Sequence, residues 1–169
     1  MVSRAHPLAR GPIAPRTRSK RATPLAERRA LFDVNVLIAL LDADHIHHVR
    51  AAAWLADNIA FGWASCAITQ NGCVRIMSQP GYPNSLPTAR VAARLREAVE
   101  APHHAFVAES TSLLDQRRFD TEQLLGHRQV TDTYLLGLAV ENDLRLVTFD
   151  AAVSPRVVSG ASAAHLVAL

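Results

Sequence analysis

Two hydrophobic periods alternate along the chain, one suited to buried strands and one to helices with a single apolar face. ALFDV, from residue 30, is a short apolar run that predicts a strand, and NVLIALLDA and HHVRAAAWLADN after it predict two helices. FGWASCAI predicts a second strand, and TQNGCVRIMSQ a helix opened by Thr69 as N-cap. PGYPNSLP is a turn-rich loop, TARVAARLREAVE a helix, and HHAFVAE contains a third strand. TSLLDQRRF is expected to be helical. VTDTYLLGLAVEND carries apolar residues at 135, 136, 139 and 140 and predicts a helix before the strand LRLVTF, and HLVAL predicts an edge strand near the end. Alternation of this kind predicts an α/β fold, a mainly parallel sheet flanked by helices in three α/β/α layers.

Charge divides the chain into two unequal parts. Residues 1–30 contain eight Arg or Lys and one acid, a charge of +7; the net charge of the whole chain is +3, so residues 31–169 carry −4. The first segment also contains Pro7, Pro12, Pro15 and Pro24 and no sustained apolar period. It is expected to be a disordered basic extension, either dispensable or an arm for phosphate backbone, ahead of one domain spanning 31–169. The apolar runs are too short for a membrane span, and no apolar secretory leader opens the chain, so a cytoplasmic protein is expected. Cys66 and Cys73 make no disulfide framework and no CxxC pair, and are expected to be reduced, packed thiols.

Against this apolar background a few polar residues stand out. Asp33 and Asn35 lie where the first strand passes into the first helix. Asp150 follows LRLVTF directly, Asp132 sits in the first turn of its helix above Leu135, Leu136, Ala139 and Val140, and Gln70 stands above Cys73, Val74 and Met77. Taken singly, each acid reads equally well as a local cap, because an Asp in a first helical turn is stabilised by the helix dipole. Taken together they converge, since helix N-termini and strand C-termini share one edge of a parallel sheet. Carboxylates crowded there repel one another, and such a cluster suits a hard divalent cation. Asp-based phosphatase chemistry needs a second Asp where Asn35 stands, and a phospho-accepting receiver needs a Lys near the acids, whereas the only lysine is Lys20. No GxSxG elbow supports serine hydrolysis.

LFDVNVLIAL, ITQNGCVRI, HRQVTDTYLLGLA and LVTFD occur in the order and spacing of the four motifs of PIN domains, and the chain most resembles the VapC-type toxins of bacterial toxin–antitoxin pairs. The resemblance covers essentially all of residues 31–169. It implies a Mg²⁺- or Mn²⁺-dependent endoribonuclease, neutralised by a small antitoxin protein and expected to form a homodimer. By position, Asp33, Asp132 and Asp150 match the family's metal ligands, and Asn35 and Thr148 its accessory polar residues. One departure concerns Gln70, which occupies the position of the usual Glu. An amide offers one neutral oxygen where a carboxylate offers two charged ones. Gln70 is therefore expected at the site as a weakened ligand, with Gln70→Glu strengthening it, and a PIN domain that binds RNA or antitoxin without cutting is the alternative.

Arg75 and Arg128 are the candidates for RNA phosphate contacts, with solvated surface charge as the plain alternative. His45, His47 and His48 lack the partners that zinc needs and are read as the structural start of a helix. Trp54 and Trp63 are read as core. The Ala- and Leu-rich helices of residues 34–58 are read either as ordinary core or as a groove for a dimer partner or antitoxin.

Overall fold

A computed structural model describes residues 23–169. Five parallel strands form one sheet in the order β3-β2-β1-β4-β5: β1 Ala30–Phe32, β2 Trp63–Cys66, β3 His104–Val107, β4 Arg145–Thr148 and β5 Leu166–Ala168. The helices are α1 Val34–Leu41, α2 His48–Asn58, α3 Ala67–Met77, α4 Thr88–Val99 and α5 Val130–Glu141. From β1 the chain builds outward through β2 to β3, then returns to place β4 on the other side of β1. That reversal opens a crevice beyond the carboxyl ends of β1 and β4, where ligands of such sheets sit.

The strands are apolar throughout because both faces of the sheet are covered. Leu31, Ala64, Cys66, Val107 and Leu146 face one layer, where they pack with Leu135, Leu136, Leu138 and Ala139 of α5. Ala30, Phe32, Trp63 and Val147 face the other, against Val36, Leu37 and Ile38 of α1, Cys73 and Met77 of α3 and Val91 of α4. Neighbouring strand residues thus alternate between two cores, giving the expected three layers. The Phe32 and Trp63 rings stack with centroids 5.5 Å apart. Both cysteines are free and buried.

Three details depart from the sequence reading. Residues 111–119 form turns instead of a helix, and their one large buried apolar group is Phe119. Helix α3 starts two residues before Thr69; its N-cap is Cys66, and the Thr69 hydroxyl accepts from the Cys66 N–H at 3.0 Å from inside the first turn. The domain also begins earlier than residue 31. Most of the basic extension, residues 1–22, lies outside the described residues, but its last residues are built into the fold. Ala30 is the first residue of β1, the Arg145 N–H and Nε donate to the carbonyls of Arg29 and Arg28, and Arg28 pairs with Asp143. The buried Arg145 also donates to Asn58 Oδ1 at 3.1 Å and lies 5.3 Å from the Trp54 ring centroid. A chain that starts at Arg29 would lose both Arg28 contacts, the carbonyl that accepts from Arg145 and the pair with Asp143.

Gly137 is the point where α5 meets Phe119, and a Cβ there would run into the buried phenyl ring. Gly137→Ala is expected to destabilise the fold by about 1–3 kcal/mol through overpacking. A lowered urea midpoint with an unchanged slope is the measurement that checks it.

Candidate active site

Asp33 is the N-cap of α1, with extended backbone (φ −63°, ψ 159°), and its carboxylate accepts from the Val34 N–H. Its own N–H donates to the Val147 carbonyl at 3.0 Å, so the end of the β1–β4 pairing fixes its position. The side chain is only 3% exposed. Asp33 Oδ2 accepts from the buried Thr148 hydroxyl at 3.2 Å and from Asn35 Nδ2 at 3.5 Å. Burial nevertheless dominates, and holds the carboxyl above its usual pKa.

Thr148 joins two of the acids. While its hydroxyl donates to Asp33, it accepts from the Asp150 N–H at 3.0 Å. The Asp150 carboxylate in turn accepts from the Ala152 N–H at 2.7 Å, which fixes the turn after β4. Asp132, half-buried in the first turn of α5, is pushed up to about 7 by burial first, and then by the negative charges of Asp33 and Asp150. The three acids therefore share one field, although they come from three separate elements. Among the described residues, the ion pairs join Arg28 to Asp143, Arg117 to Asp115 and Arg118 to Glu141, and none reaches this cluster.

Beside the acids lies an open cleft of about 530 Å³ lined by Asp33, Asn35, Asn71, Arg75, Arg128 and Asp132, with Gly72 in its floor. Arg75 and Arg128 are exposed, so both expected phosphate contacts stand at the cleft. Gln70 is absent from that lining. It is half-buried, its Nε2 donates to Ser65 Oγ at 2.9 Å, and Ser65 Oγ lies 2.9 Å from His104 Nε2. Helical spacing puts Gln70 on an inward face, and it is on one, but that face packs toward β2 and α4. Successive helical residues turn by about 100°, and the face of α3 toward the acids carries Ile68, Asn71, Gly72, Arg75 and Ile76.

Asn71 is thus, beside Arg75, a polar residue of α3 at the cleft, and hydrophobic spacing singles out neither it nor Thr131. A signal for Asn71 was present in Gly72. A glycine inside a helix costs about 1 kcal/mol relative to alanine and marks a close approach. Here a Cβ would lie 2.7 Å from Val34 Cγ2, so Gly72 lets α3 rest against the first turn of α1, next to Asp33.

The donor chemistry can be tested against a divalent ion. Among the described residues no group of three or more acidic, imidazole or thiol side chains is gathered tightly enough to hold a metal by protein atoms alone. The available donors are nevertheless hard oxygens, and among the described residues none of the three acids is in an ion pair. Mg²⁺ retains several waters and is commonly held by one or two carboxylates, so an open, partly wet carboxylate site fits it.

Comparison with known proteins agrees with this architecture. A PIN domain model matches residues 30–155. Ribonuclease VapC44 of Mycobacterium tuberculosis is 50% identical over 141 residues, covering 83% of this chain and 99% of that protein. Ribonuclease VapC38 of the same species is 43% identical over 125 residues, covering 73% and 86%. The crystal structure of VapBC2 from Rickettsia felis, bound to a DNA fragment from their promoter, contains a chain with a TM-score of 0.54. The match covers 83% of this chain and 98% of that one at 13% identity, a likeness of fold alone.

Proposed function

The chain belongs to the PIN domain family, as a VapC-type member, and from that premise we propose that it is a divalent-metal-dependent endoribonuclease, the toxin of a toxin–antitoxin pair acting in the cytoplasm. The observation that carries the reading is the convergence of Asp33, Asp132 and Asp150, from three separate elements, beside a cleft flanked by Arg75 and Arg128. The relatives named as ribonucleases support the reaction class.

Asp33, Asp132 and Asp150 would hold the ion, Mg²⁺ or Mn²⁺. When bound, it would activate water at neutral pH and stabilise charge on the transferring phosphate. The rest of the work falls to the chain's own groups. Thr148 fixes the carboxylate of Asp33 and the backbone of Asp150 through one hydroxyl. Asn35, exposed and bonded to Asp33, orients that carboxylate from the solvent side. Asp132, pushed up to about 7 by burial and its acidic neighbours, is the group we assign to orient the attacking water. Arg75 and Arg128 stand where the phosphate backbone would enter, and their guanidinium planes suit its oxygens. The alternative of a PIN domain that binds without cutting rested on Gln70, and it draws no support from a residue turned toward Ser65.

For the protein partner we assign the apolar groove of about 500 Å³ between α1, α2 and α4, lined by Leu37, Leu40, Leu41, Leu55, Ile59 and Leu95. A small antitoxin segment with an apolar face fits it, and self-association as a homodimer belongs to the same reading. The direct test is cleavage of RNA by the purified protein with Mg²⁺ or Mn²⁺, against an EDTA control. Cleavage that appears with metal and vanishes with chelator is expected; intact RNA in millimolar Mn²⁺ would overturn the proposal.

A further inference from the structure

The acid cluster has a second flank that the function above does not use. β2 and β4 lie on opposite sides of β1. Arg75, on the helix that follows β2, shares the cleft with Asp33, and Phe149, directly after β4 on the other side of β1, packs against the core of Phe32 and Val147. Phe149 comes between Thr148, which bonds Asp33, and Asp150. Its ring is half-buried and is covered by His47, with centroids 4.5 Å apart and planes inclined by 29°. The His45 ring, 5.6 Å from that of His47 between centroids, is tilted from it by 54° and does not stack on it.

The loop holds these rings in place. The His47 N–H donates to His45 Nδ1 at 3.1 Å, and His48 Nδ1 lies 2.8 Å from the Ala39 carbonyl oxygen. His47 precedes α2 but makes no side-chain capping bond, so its ring serves no structural hydrogen bond of the helix start. On either side of it Ile46 and Val49 are 88% and 80% exposed, among the most exposed large apolar residues described. A planar, half-exposed ring with exposed apolar neighbours, stacked on the residue that joins Thr148 to Asp150, has the form of a surface for an unstacked base.

Resting on the ribonuclease reading, we propose that His47, backed by Phe149, stacks the nucleobase of a nucleotide neighbouring the cleaved phosphodiester in single-stranded RNA. Phosphate would then be held at the Arg75 and Arg128 side, and a base at the His47 side, with the acids between them. A ring that offers a stacking face accepts any base, so this contact selects single strands rather than a sequence.

The test uses the full chain carrying Asp132→Asn, so that RNA is bound without being cut, and short single-stranded RNAs with and without one abasic nucleotide near the cleavage position. Removing a stacking partner costs about 1–3 kcal/mol per base, so His47→Ala is expected to weaken binding roughly 5- to 150-fold. His47→Tyr, which keeps a stacking ring and discards the imidazole, should restore binding to near the parent value. The abasic RNA should lose affinity for the His47 protein and none further for His47→Ala. Equal binding by parent and His47→Ala, or failure of His47→Tyr to restore it, would overturn the stacking role while leaving the ribonuclease reading in place. RNA that fails to bind the His47 parent at all would overturn both.

Discussion

Asp132→Asn is expected to cut metal-dependent RNA cleavage at least about 100-fold, beyond the 10–100-fold typical for loss of a mere outer-shell partner. It should also make the metal-free protein more stable at neutral pH. The two effects have one cause. Asp132 is pushed up to about 7, by burial first and then by Asp33 and Asp150. In the unfolded chain its carboxyl ionises near 3.8. The folded state therefore holds a proton that the unfolded state has already released, and stability falls as pH rises from about 4 through about 7. An amide in its place carries no charge to desolvate or repel, so this part of the fall should disappear. Asp33, whose carboxyl is also raised by burial, contributes a slope of the same sign, and His45 and His104, held below their ordinary value by burial, contribute one of the opposite sign in parent and variant alike.

A difference of a few degrees between the two metal-free proteins above pH 7 is expected, since each kcal/mol moves the midpoint of a chain this size by about 2–4 °C and partial exposure of Asp132 screens its charge. Mn²⁺ should raise the melting temperature of the parent by mass action and that of Asp132→Asn much less. Melting curves at pH 5 and pH 8, with and without Mn²⁺, supply the whole comparison. An Asp132→Asn variant that keeps the parent's metal response would remove Asp132 from the metal site.

The second large effect concerns neighbours on α3. Gln70→Glu should leave the metal response unchanged and lower stability by about 1 kcal/mol, because it exchanges the donor that satisfies Ser65 for a carboxylate. Asn71→Asp should do what the sequence alone assigned to residue 70. A fourth carboxylate at the cleft would face any bound cation at short range, so divalent affinity should rise about tenfold or more, by the scale on which single groups near a metal act. Without metal the added charge should lower the melting temperature, through repulsion from Asp33 and Asp132. Titrating Mn²⁺ against melting temperature for the parent and both variants separates the cases. A gain in metal affinity from Gln70→Glu, with none from Asn71→Asp, would mean that the cleft is built from the other face of α3.

How much of the site is legible in the sequence varies by residue. Asp33 and Asp150 were legible because each interrupts or ends an apolar strand, and in a parallel sheet every strand's carboxyl end lies on one edge. Asp132 was legible because its helical partners Leu135, Leu136 and Ala139 are core residues, and they are buried as expected. Gln70 obeyed the same rule and was misplaced by it. Hydrophobic spacing identifies which face of a helix is buried, not which neighbour buries it, and α3 has one face on β2 and α4 and another on the first turn of α1.

The sequence by itself determined the alternation of strands and helices, the parallel sheet in three layers, and the three acids on its edge, because periodicity and the polarity of element ends are local properties of the chain. Tertiary structure decided the rest. It drew Arg28 and Arg29 into the domain through the buried Arg145, a contact across more than 100 residues. It left residues 111–119 without a helix, where Phe119 is held against Gly137 of α5. It set Asn71 rather than Gln70 at the cleft and laid His47 on Phe149. Each of these depends on which surfaces meet at distances of a few ångströms, and a one-residue step around a helix, about 100°, is enough to exchange one neighbour for another.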